Sequence, residues 1–368
     1  MMTLSALDEL RVQLKGQMVL SAYIAAGQHS PTERSHWRIL LQQQLDSLGA
    51  ASGKSPEFDR ARALLEADLA RFRGFLPGAG WVAYATADKL WSCEQVPAPV
   101  PDLVRWRRGM VLAPYLRVLK QARPVVLALV DSKRARLFLY QAGHALEPVD
   151  SRADTFIDDL TDRNMSKRAA THSGVRGATA TDAADRVLHV EMERMLKQVA
   201  AEVLTLAGRD GLVVIGGPTA AVSALQHLLL DRLGDRLTVD ESTFMAVSDT
   251  AARATIERCV SALSHRLQHK AVTQILDGVG STGRGAVGLQ DTAAAVAVGQ
   301  VEALLLTRRF LHEHEADAEH LIARTLELGG RADEVTGEAA ELLETRGEGV
   351  AARLRFAAQQ MWEPILAQ

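Results

Sequence analysis

The chain has 368 residues, of which 47% are hydrophobic and 24% charged, and its formal net charge at pH 7 is −3. These values are typical of globular proteins, and the length predicts two or three domains. A net charge near zero excludes general electrostatic attraction to nucleic acid as the main basis of function. No apolar run approaches the ~20 residues of a membrane-spanning helix and no apolar signal core opens the chain, so we expect a cytoplasmic protein without a membrane partner.

The first part of the chain, residues 1–122, is predicted to be an α/β domain. Its predicted elements are a strand at 18–24, a helix from Pro31 to Leu48, a helix carrying Leu64 to Phe72, a hairpin of Trp81 to Thr86 with Leu90 to Cys93, and an extended Pro-rich link at 97–101.

The second part, residues 123–274, is predicted to be a central domain that begins after a break at Arg123-Pro124. Residues 151–184 have no apolar periodicity, and a loop of this length inside a compact domain is usually functional. The predicted elements are strands at Val125 to Val130, Ala135 to Tyr140, Ala145 to Val149 and Leu212 to Ile215, and helices over Leu188 to Leu206, Val222 to Leu229 and Thr250 to Asp277.

The third part, residues 275–368, alternates helices with strands, which predicts an α/β sandwich around a central sheet. The fold class expected for the whole chain is therefore α/β, with three domains that each have a central mixed sheet. The predicted elements of this part are helices over Asp291 to Gly299, Ala318 to Leu328 and from Glu338, and strands at Val301 to Leu306, Ala332 to Thr336 and Val350 to Phe356.

Two stretches resemble a known family. The run from Gly288 to Thr292, which leads into a strand at Ala303 to Leu306, is similar to the third domain of archaeo-eukaryotic release factors and Pelota. The hairpin of Val126 to Tyr140, followed by a loop and a long helix, is similar to their central domain. Over about residues 125–368 the chain resembles the bacterial branch of this family. The resemblance implies a three-domain release-factor-like architecture, with a recognition domain, a domain reaching the peptidyl-transferase centre and a partner-binding domain.

The chain departs from this family at one motif. Release-active members carry Gly-Gly-Gln in the central loop, whereas residues 167–179 contain glycines and basic residues but no glutamine. An Asn-Ile-Lys-Ser motif for decoding is also missing. We therefore expect a non-catalytic factor that binds the ribosomal A site, acting in hibernation or in rescue and surveillance. Its expected partners are ribosomal RNA, tRNA and a translational GTPase bound through the third domain, with no cofactor or metal.

The segment from Arg163 to Arg176 has four basic residues and no acidic one, which favours contacts with RNA phosphates. The alternative is an ordinary solvated loop. Two other functions stay open, namely a peptidyl-tRNA or RNA hydrolase with an atypical loop and an adaptor that recruits a GTPase. The predicted RNA-binding residues are Arg163, Lys167, Arg168, His172, Gly174, Arg176 and Gly177.

Charge is distributed unevenly along the chain. Residues 1–120 carry 15 Lys and Arg against 11 Asp and Glu, whereas residues 271–368 carry 8 against 15. The basic front and the acidic back could contact RNA and protein respectively, or the asymmetry could be incidental. The basic-aromatic run from Arg105 to Arg108 could likewise stack on RNA or be a helix surface with Trp106 buried.

Several other motifs have weaker functional interpretations. The run from Gly278 to Gly283 matches a dinucleotide fingerprint but lacks the strand that should precede it, so we interpret it as a flexible linker. Gly216-Gly217-Pro218 is predicted to be a tight turn rather than a phosphate cradle. A metal site at Asp131, Asp158, Asp159 and Asp162 is disfavoured because Asp131 sits at a predicted turn and the others lie in a polar loop. A metal site at His312, His314 and His320 is disfavoured because their spacing matches no ligand pattern, and Cys93 and Cys259 are expected to be reduced thiols.

Overall fold

The computed structural model describes residues 1–26, 36–53, 55–142, 146–149, 180–243 and 245–357, without the side chains of 180–189. By contacts the chain divides into two compact units. The terminal unit comprises Met1–Ala122 and the chain from His265 on, and the central unit is Arg123–Ser264. Among the described residues no helix is long and apolar enough to cross a membrane.

The first part of the terminal unit is a four-stranded sheet with the order β3-β2-β1-β4, antiparallel throughout. Alternate residues of the first strand face opposite sides, so Leu20, Ala22 and Ile24 pack on one helical layer while Val19 and Tyr23 pack on another. The elements are α1 (Leu4–Gln13), β1 (Met18–Ala25), α2 (His36–Ala51), α3 (Pro56–Leu69), β2 (Gly80–Ala85), β3 (Leu90–Val96), β4 (Leu103–Arg108) and α4 (Ala113–Gln121).

The central unit is built on a five-stranded sheet with the order β7-β6-β5-β8-β9, in which β5, β8 and β9 are parallel. Val126 and Ala128 lie on the face that packs against the two crossover helices through Leu196, Val199 and Leu225. The elements are β5 (Val125–Val130), β6 (Ala135–Tyr140), β7 (Glu147–Val149), α5 (Ala180–Ala207), β8 (Leu212–Gly216), α6 (Thr219–Leu233), β9 (Leu237–Asp240) and α7 (Asp249–Ser281).

The last part of the terminal unit is a mixed sheet with the order β10-β13-β11-β12, in which β11 and β12 are paired in parallel and β13 is antiparallel to both of its neighbours. Leu305 and Ala351 lie on one face against Val272 and Ile275 of α7. The further elements are β10 (Gly285–Val287), α8 (Leu289–Ala297), β11 (Val301–Thr307), α9 (Arg308–Glu313), α10 (Glu315–Glu327), β12 (Arg331–Val335), α11 (Glu338–Gly347) and β13 (Val350–Leu354).

The two parts of the terminal unit share one hydrophobic core. Buried residues of the first part, such as Tyr115 and Val118, belong to the same cluster as Leu304, Phe310 and Leu321 of the last part. Burial of aliphatic and aromatic side chains contributes about 1.5–3 kcal/mol each, so a shared core of this kind holds the two parts together.

The predicted α/β class is confirmed, and the first sheet differs from the expected mixed sheet only in being antiparallel. The proposed linker at 278–283 is corrected, because its first four residues form the last turn of α7. That turn is closed by main-chain N–H groups of Thr282 and Arg284, which both donate to the Gly278 carbonyl. The division into domains 1–122, 123–274 and 275–368 stays a prediction, and the contact division near its second boundary falls after Ser264.

The run that carried the family resemblance has a structural role. Gly288 precedes α8 with φ of 80°, a conformation that favours glycine, and its N–H donates to the Val350 carbonyl. Thr292, at the end of the run, is completely buried. Gly288 therefore forms the turn that joins β10 to α8, Leu289 to Thr292 form the first turn of α8, and the run has a structural role.

Candidate functional site

The predicted RNA-binding residues lie outside the described residues. Arg163, Lys167, Arg168, His172, Gly174, Arg176 and Gly177 all fall within 150–179. Asp158, Asp159 and Asp162 of the disfavoured metal site fall there too. The structure instead describes the two elements that flank this segment, β7 and α5, and the central sheet, which contains β7 and on which α5 packs.

The carboxyl ends of the three parallel strands meet at one edge of the central sheet. Leu129 pairs with Gly216, and Gly216 with Asp240, so β5, β8 and β9 all end at this edge. The short strand β7 runs parallel to β5, because both are antiparallel to β6, and it therefore points toward the same edge as it ends at Val149. Ligand sites of open α/β sheets usually lie at such a carboxyl edge.

Helix α5 extends well past the sheet on which it packs. Its 28 residues give a length of about 42 Å, whereas a five-residue strand spans only about 17 Å. The first buried positions described on it are Met195 and Leu196, and Val190 is 59% exposed. Because α5 ends at Ala207, just before β8 begins at the opposite edge, its first turns project beyond the carboxyl edge.

The β5–β6 hairpin presents a rigid turn at this edge. The Asp131 carboxylate accepts hydrogen bonds from the main-chain N–H groups of Lys133 and Arg134, each at 2.7 Å. Such a turn is a common structural use of aspartate. No group of three or more His, Cys, Asp or Glu suited to hold a metal occurs among the described residues, including those around Asp131.

The strand-to-helix turn at Gly216-Gly217-Pro218 is as tight as predicted. Gly217 has φ of 134°, and a Cβ placed there would lie 2.0 Å from the Val130 carbonyl oxygen. A Cβ on Gly216 would lie 2.9 Å from the Thr243 carbonyl oxygen. The two glycines thus let the ends of β5 and β8 and the chain after β9 approach each other closely.

A polar cluster surrounds Asp240, the last residue of β9. The buried Asp240 carboxylate accepts hydrogen bonds from the hydroxyls of Ser242 and Thr243 and from the Arg258 guanidinium, the last at 2.8 Å. Burial alone would raise the pKa of Asp240, but the hydrogen bonds from Thr243, Arg258 and Ser242 outweigh burial and hold this pKa below its ordinary value. The carboxylate is therefore ionised near neutral pH and its described contacts are structural.

Arg136 fastens the connection that follows this cluster. Its guanidinium donates to the carbonyl oxygens of Met245 at 2.6 Å and Val247 at 3.1 Å, and it lies 4.8 Å from the centre of the Phe138 ring. Together with the Asp240 cluster, these contacts hold the chain at the carboxyl edge of the sheet in a fixed position. Its described residues position neighbouring chain and provide no paired nucleophile and base.

The basic-aromatic run at Arg105 to Arg108 is part of β4, which corrects the alternative interpretation as a helix surface. Trp106 packs edge-on against Phe58 at 5.7 Å in the core. Arg105 points to the opposite face and forms a bidentate ion pair with Glu315, with nitrogen–oxygen distances of 2.7 and 2.9 Å. Neither side chain is left available for RNA stacking.

The opposite charges of the two chain ends pair with each other inside the terminal unit, a feature that sequence reasoning missed. Among the described residues, every ion pair joining its two parts has its cation in the first part and its anion in the last. The pairs are Lys15 with Glu327, Arg105 with Glu315, Arg117 with Glu334 and Lys120 with Asp333. Some of the unevenly distributed charges thus form ion pairs between the two parts of the terminal unit.

Three of the remaining candidate residues from the sequence, the two cysteines and His314, have surroundings that indicate structural roles. Cys93 and Cys259 are free thiols, and burial raises the pKa of both, which disfavours reactivity. His314 stacks on Phe310 with ring centres 4.9 Å apart.

Comparisons with known proteins show what the chain is similar to. Residues 111–263, which include α4 and nearly all of the central unit, match the model of bacterial archaeo-eukaryotic release factor family 10. A protein pelota homolog of Methanothrix thermoacetophila is 30% identical over 169 residues, which are 44% of this chain and 48% of that protein. The chain thus spans about half the length of this relative. The resemblance predicted from the sequence is confirmed over residues 111–263, which match a release-factor family model.

Solved structures of Pelota and Dom34 proteins are similar to the chain at low sequence identity. Pelota of Archaeoglobus fulgidus is 18% identical, with 77% of this chain and 75% of that one covered and a TM-score of 0.34. Saccharomyces cerevisiae Dom34, a translation termination-like factor that interacts with Hbs1, is 11% identical over 65% of each chain with a TM-score of 0.45. A ribosome-bound archaeal Pelota gives 15% identity, 97% and 95% coverage, and a TM-score of 0.39.

Proposed function

We propose that this protein is a ribosome-binding translation factor that enters the A-site region and does not release the nascent peptide. The observation that carries the proposal is the family match over residues 111–263, which contains both elements that flank residues 150–179. In this segment the family resemblance implies a Gly-Gly-Gln loop, and this chain has basic residues and glycines without the glutamine.

The geometry of the described residues favours a structural scaffold over a catalytic centre. The Asp131 and Asp240 carboxylates are both engaged by neighbouring groups of the central unit. Arg136 is engaged by carbonyl oxygens. A rigid edge that carries a basic segment suits phosphate contacts, which position a protein on RNA without reading sequence. Occupation of the ribosome in hibernation or in rescue and surveillance is the role this combination favours.

The same features bear on peptide release. Hydrolysis of the peptidyl-tRNA ester needs a positioned water, and such positioning contributes several kcal/mol to catalysis. Arg176 stays charged and cannot act as a general base, so His172 is the residue of this segment whose side-chain type suits that role. In a reconstituted termination assay we expect no release above background. Release that is abolished by His172→Ala would contradict the proposal and assign the protein to the hydrolases.

The test of binding is co-sedimentation of the full chain with ribosomes over a range of salt concentrations. The triple variant Lys167→Ala, Arg168→Ala, Arg176→Ala should bind more weakly. The slope of log K against log salt should flatten by about one for each phosphate that the variant can no longer neutralise. Unchanged affinity and slope in this variant would show that the segment does not contact ribosomal RNA.

A matched control removes three positive charges elsewhere on the central unit. Lys197, Arg209 and Arg232 are exposed; Arg209 precedes β8 and Arg232 ends α6, so both lie toward the amino edge of the sheet. Replacing these three with Ala changes net charge equally and should leave the slope near that of the wild type. An equal loss of affinity in both variants would indicate general electrostatic attraction instead of a contact made by residues 167–176.

Recruitment of a translational GTPase through the last part of the chain is the adaptor hypothesis, and it stays a prediction. The acidic residues Glu315, Glu327, Asp333 and Glu334 are engaged within the terminal unit. A partner that needs negative charge would therefore have to use other residues, such as the exposed Glu338 and Glu341 of α11.

A further inference from the structure

One buried carboxylate joins the two parts of the terminal unit through the main chain. Glu319 of α10 is 4% exposed, and its two oxygens accept hydrogen bonds from the N–H groups of Leu112 at 2.7 Å and Ala113 at 3.1 Å. These donors begin helix α4, which has no capping side chain of its own. The unpaired N–H groups of the first turn of a helix, and its dipole, attract a negative charge. Glu319 thus caps α4 from a position 207 residues away in the chain.

The other end of α4 is fastened to the same partner by ion pairs. The Arg117 guanidinium contacts the Glu334 carboxylate, whose side chain is 7% exposed. Lys120 lies 3.2 Å from the Asp333 carboxylate and also 3.2 Å from the Glu334 carbonyl oxygen. Both acidic residues belong to β12, the edge strand of the last sheet. Helix α4 is therefore held at its start by α10 and along its second half by β12.

This helix is also the last element of the terminal unit before the chain enters the central unit. Helix α4 ends at Gln121, the contact division follows Ala122, and β5 begins at Val125. Any loosening of α4 from α10 and β12 would release the chain on which the central unit begins.

We infer that α4 is a latch between the two parts of the terminal unit, and that binding of a proton by Glu319 controls how firmly the latch is closed. The groups facing Glu319 come from three strands and its own helix. Arg107 of β4 favours the charged carboxylate, and Glu315 of α10, which is itself paired with Arg105, disfavours it. Tyr23 of β1 and Tyr84 of β2 face it as neutral hydroxyls that bond to each other and to the Val111 carbonyl.

Burial dominates this balance. It raises the pKa of Glu319 to about 7, although the hydrogen bonds from Leu112 and Ala113 and the charge of Arg107 act in the opposite direction. The closed latch therefore binds a proton that the open latch, with an ordinary glutamate pKa, does not bind between about pH 4.5 and 7. Closure is favoured most at the lower pH and weakens as the pH rises through about 7.

The experiment is hydrogen exchange of the α4 main-chain amides in the full-length protein between pH 5 and pH 8, corrected for the intrinsic exchange rate. Protection in the wild type should fall by up to about tenfold per pH unit between roughly pH 5 and 7 and then level off. In Glu319→Gln, which cannot titrate, protection should be nearly constant over this range. A wild-type profile without this fall, or the same fall in Glu319→Gln, would overturn the inference.

A second glutamate of the same helix provides the control. Hydrogen bonds from Lys15 and Arg324 lower the pKa of Glu327 to about 2, so this carboxylate stays ionised throughout the experiment. Glu327→Gln also removes a cross-part contact of α10, and it should keep the wild-type dependence on pH. If Glu319→Gln does not fold, the carboxyl carbon of Glu319 can be titrated in the wild type by NMR. A midpoint near pH 7 supports the latch, and a midpoint below about 5 contradicts it.

Discussion

Asp240 of the central unit and Glu319 of the terminal unit have nearly the same solvent exposure, 5% and 4%, yet their protonation is shifted in opposite directions. Asp240 accepts hydrogen bonds from two hydroxyls and a guanidinium, and its pKa falls. Glu319 accepts two main-chain hydrogen bonds, burial prevails, and its pKa rises. The depth of burial, together with the number and charge of the donors, decides which protonation state a site stabilises, since Glu319 is the more deeply buried of the two and Asp240 has the more numerous side-chain donors. The two units should therefore respond differently to substitution and to pH.

The largest effect is expected at the packed edge of the central unit. Gly217→Val places a side chain against the Val130 carbonyl at a backbone angle that disfavours it, and should destabilise this unit by at least about 4 kcal/mol. Gly208→Ala, at a positive φ with open space around it, should cost only about 1 kcal/mol. Denaturant unfolding followed in each unit measures both. Equal costs would show that close packing at Gly217 is unimportant.

An intermediate effect is expected at the junction of the terminal unit. Glu334→Gln removes the buried partner of Arg117 and Arg308 and should lower the free energy of unfolding of this unit by about 2–4 kcal/mol. Lys15→Ala removes a pair whose cation is 64% exposed, and should cost less than about 1 kcal/mol and be masked by salt. The measurement is denaturant unfolding at low and high salt. A cost for Lys15→Ala as large as that for Glu334→Gln would contradict this ranking.

Of the three sites Gly217, Glu334 and Asp240, the smallest effect is expected at Asp240, and the direction of its dependence on pH distinguishes the two units. Asp240→Asn weakens the hydrogen bonds to Thr243 and Arg258 and should destabilise the central unit by about 1–2 kcal/mol near pH 7. Because the folded pKa is depressed, this stability is present above the unfolded pKa of about 4 and is lost as pH falls below it. Thermal unfolding from pH 3 to 7 should show the two proteins converging in acid. A constant difference would mean that Asp240 acts through its shape alone.

Much of the fold was predictable from local patterns. The apolar runs of β5, β6 and β8 and the helical spacing along α7 predict these elements nearly at their observed positions. Helix α5 ends as predicted but begins at Ala180, before its predicted start at Leu188 and inside the predicted loop 151–184. Helix α4 was missed because its start has no capping side chain nearby; the cap is Glu319 on a distant helix. Strand β4 was missed because its arginines hide the alternation that buries Val104 and Trp106.

The site was predictable to a smaller degree. Tight turns at Asp131 and Gly217 follow from residue type alone, since both residues favour turns for local reasons. The uneven charge distribution was visible as a composition, but the pairing of each cation with a particular anion is a tertiary property. Lys15 and Glu327 are 312 residues apart, and no local pattern indicates that they meet.

This separation also has a consequence for synthesis. The face of the first part that packs on α10 and β12 leaves the ribosome long before its partner exists. Translation of the 312 residues between Lys15 and Glu327 takes roughly 15–60 s at about 5–20 residues per second. During that interval Tyr115 and Val118 of α4 lack the residues that bury them, while the central unit, which is contiguous in sequence, can already fold. A chaperone would therefore be needed most during the interval between the synthesis of the first part and the synthesis of the last part.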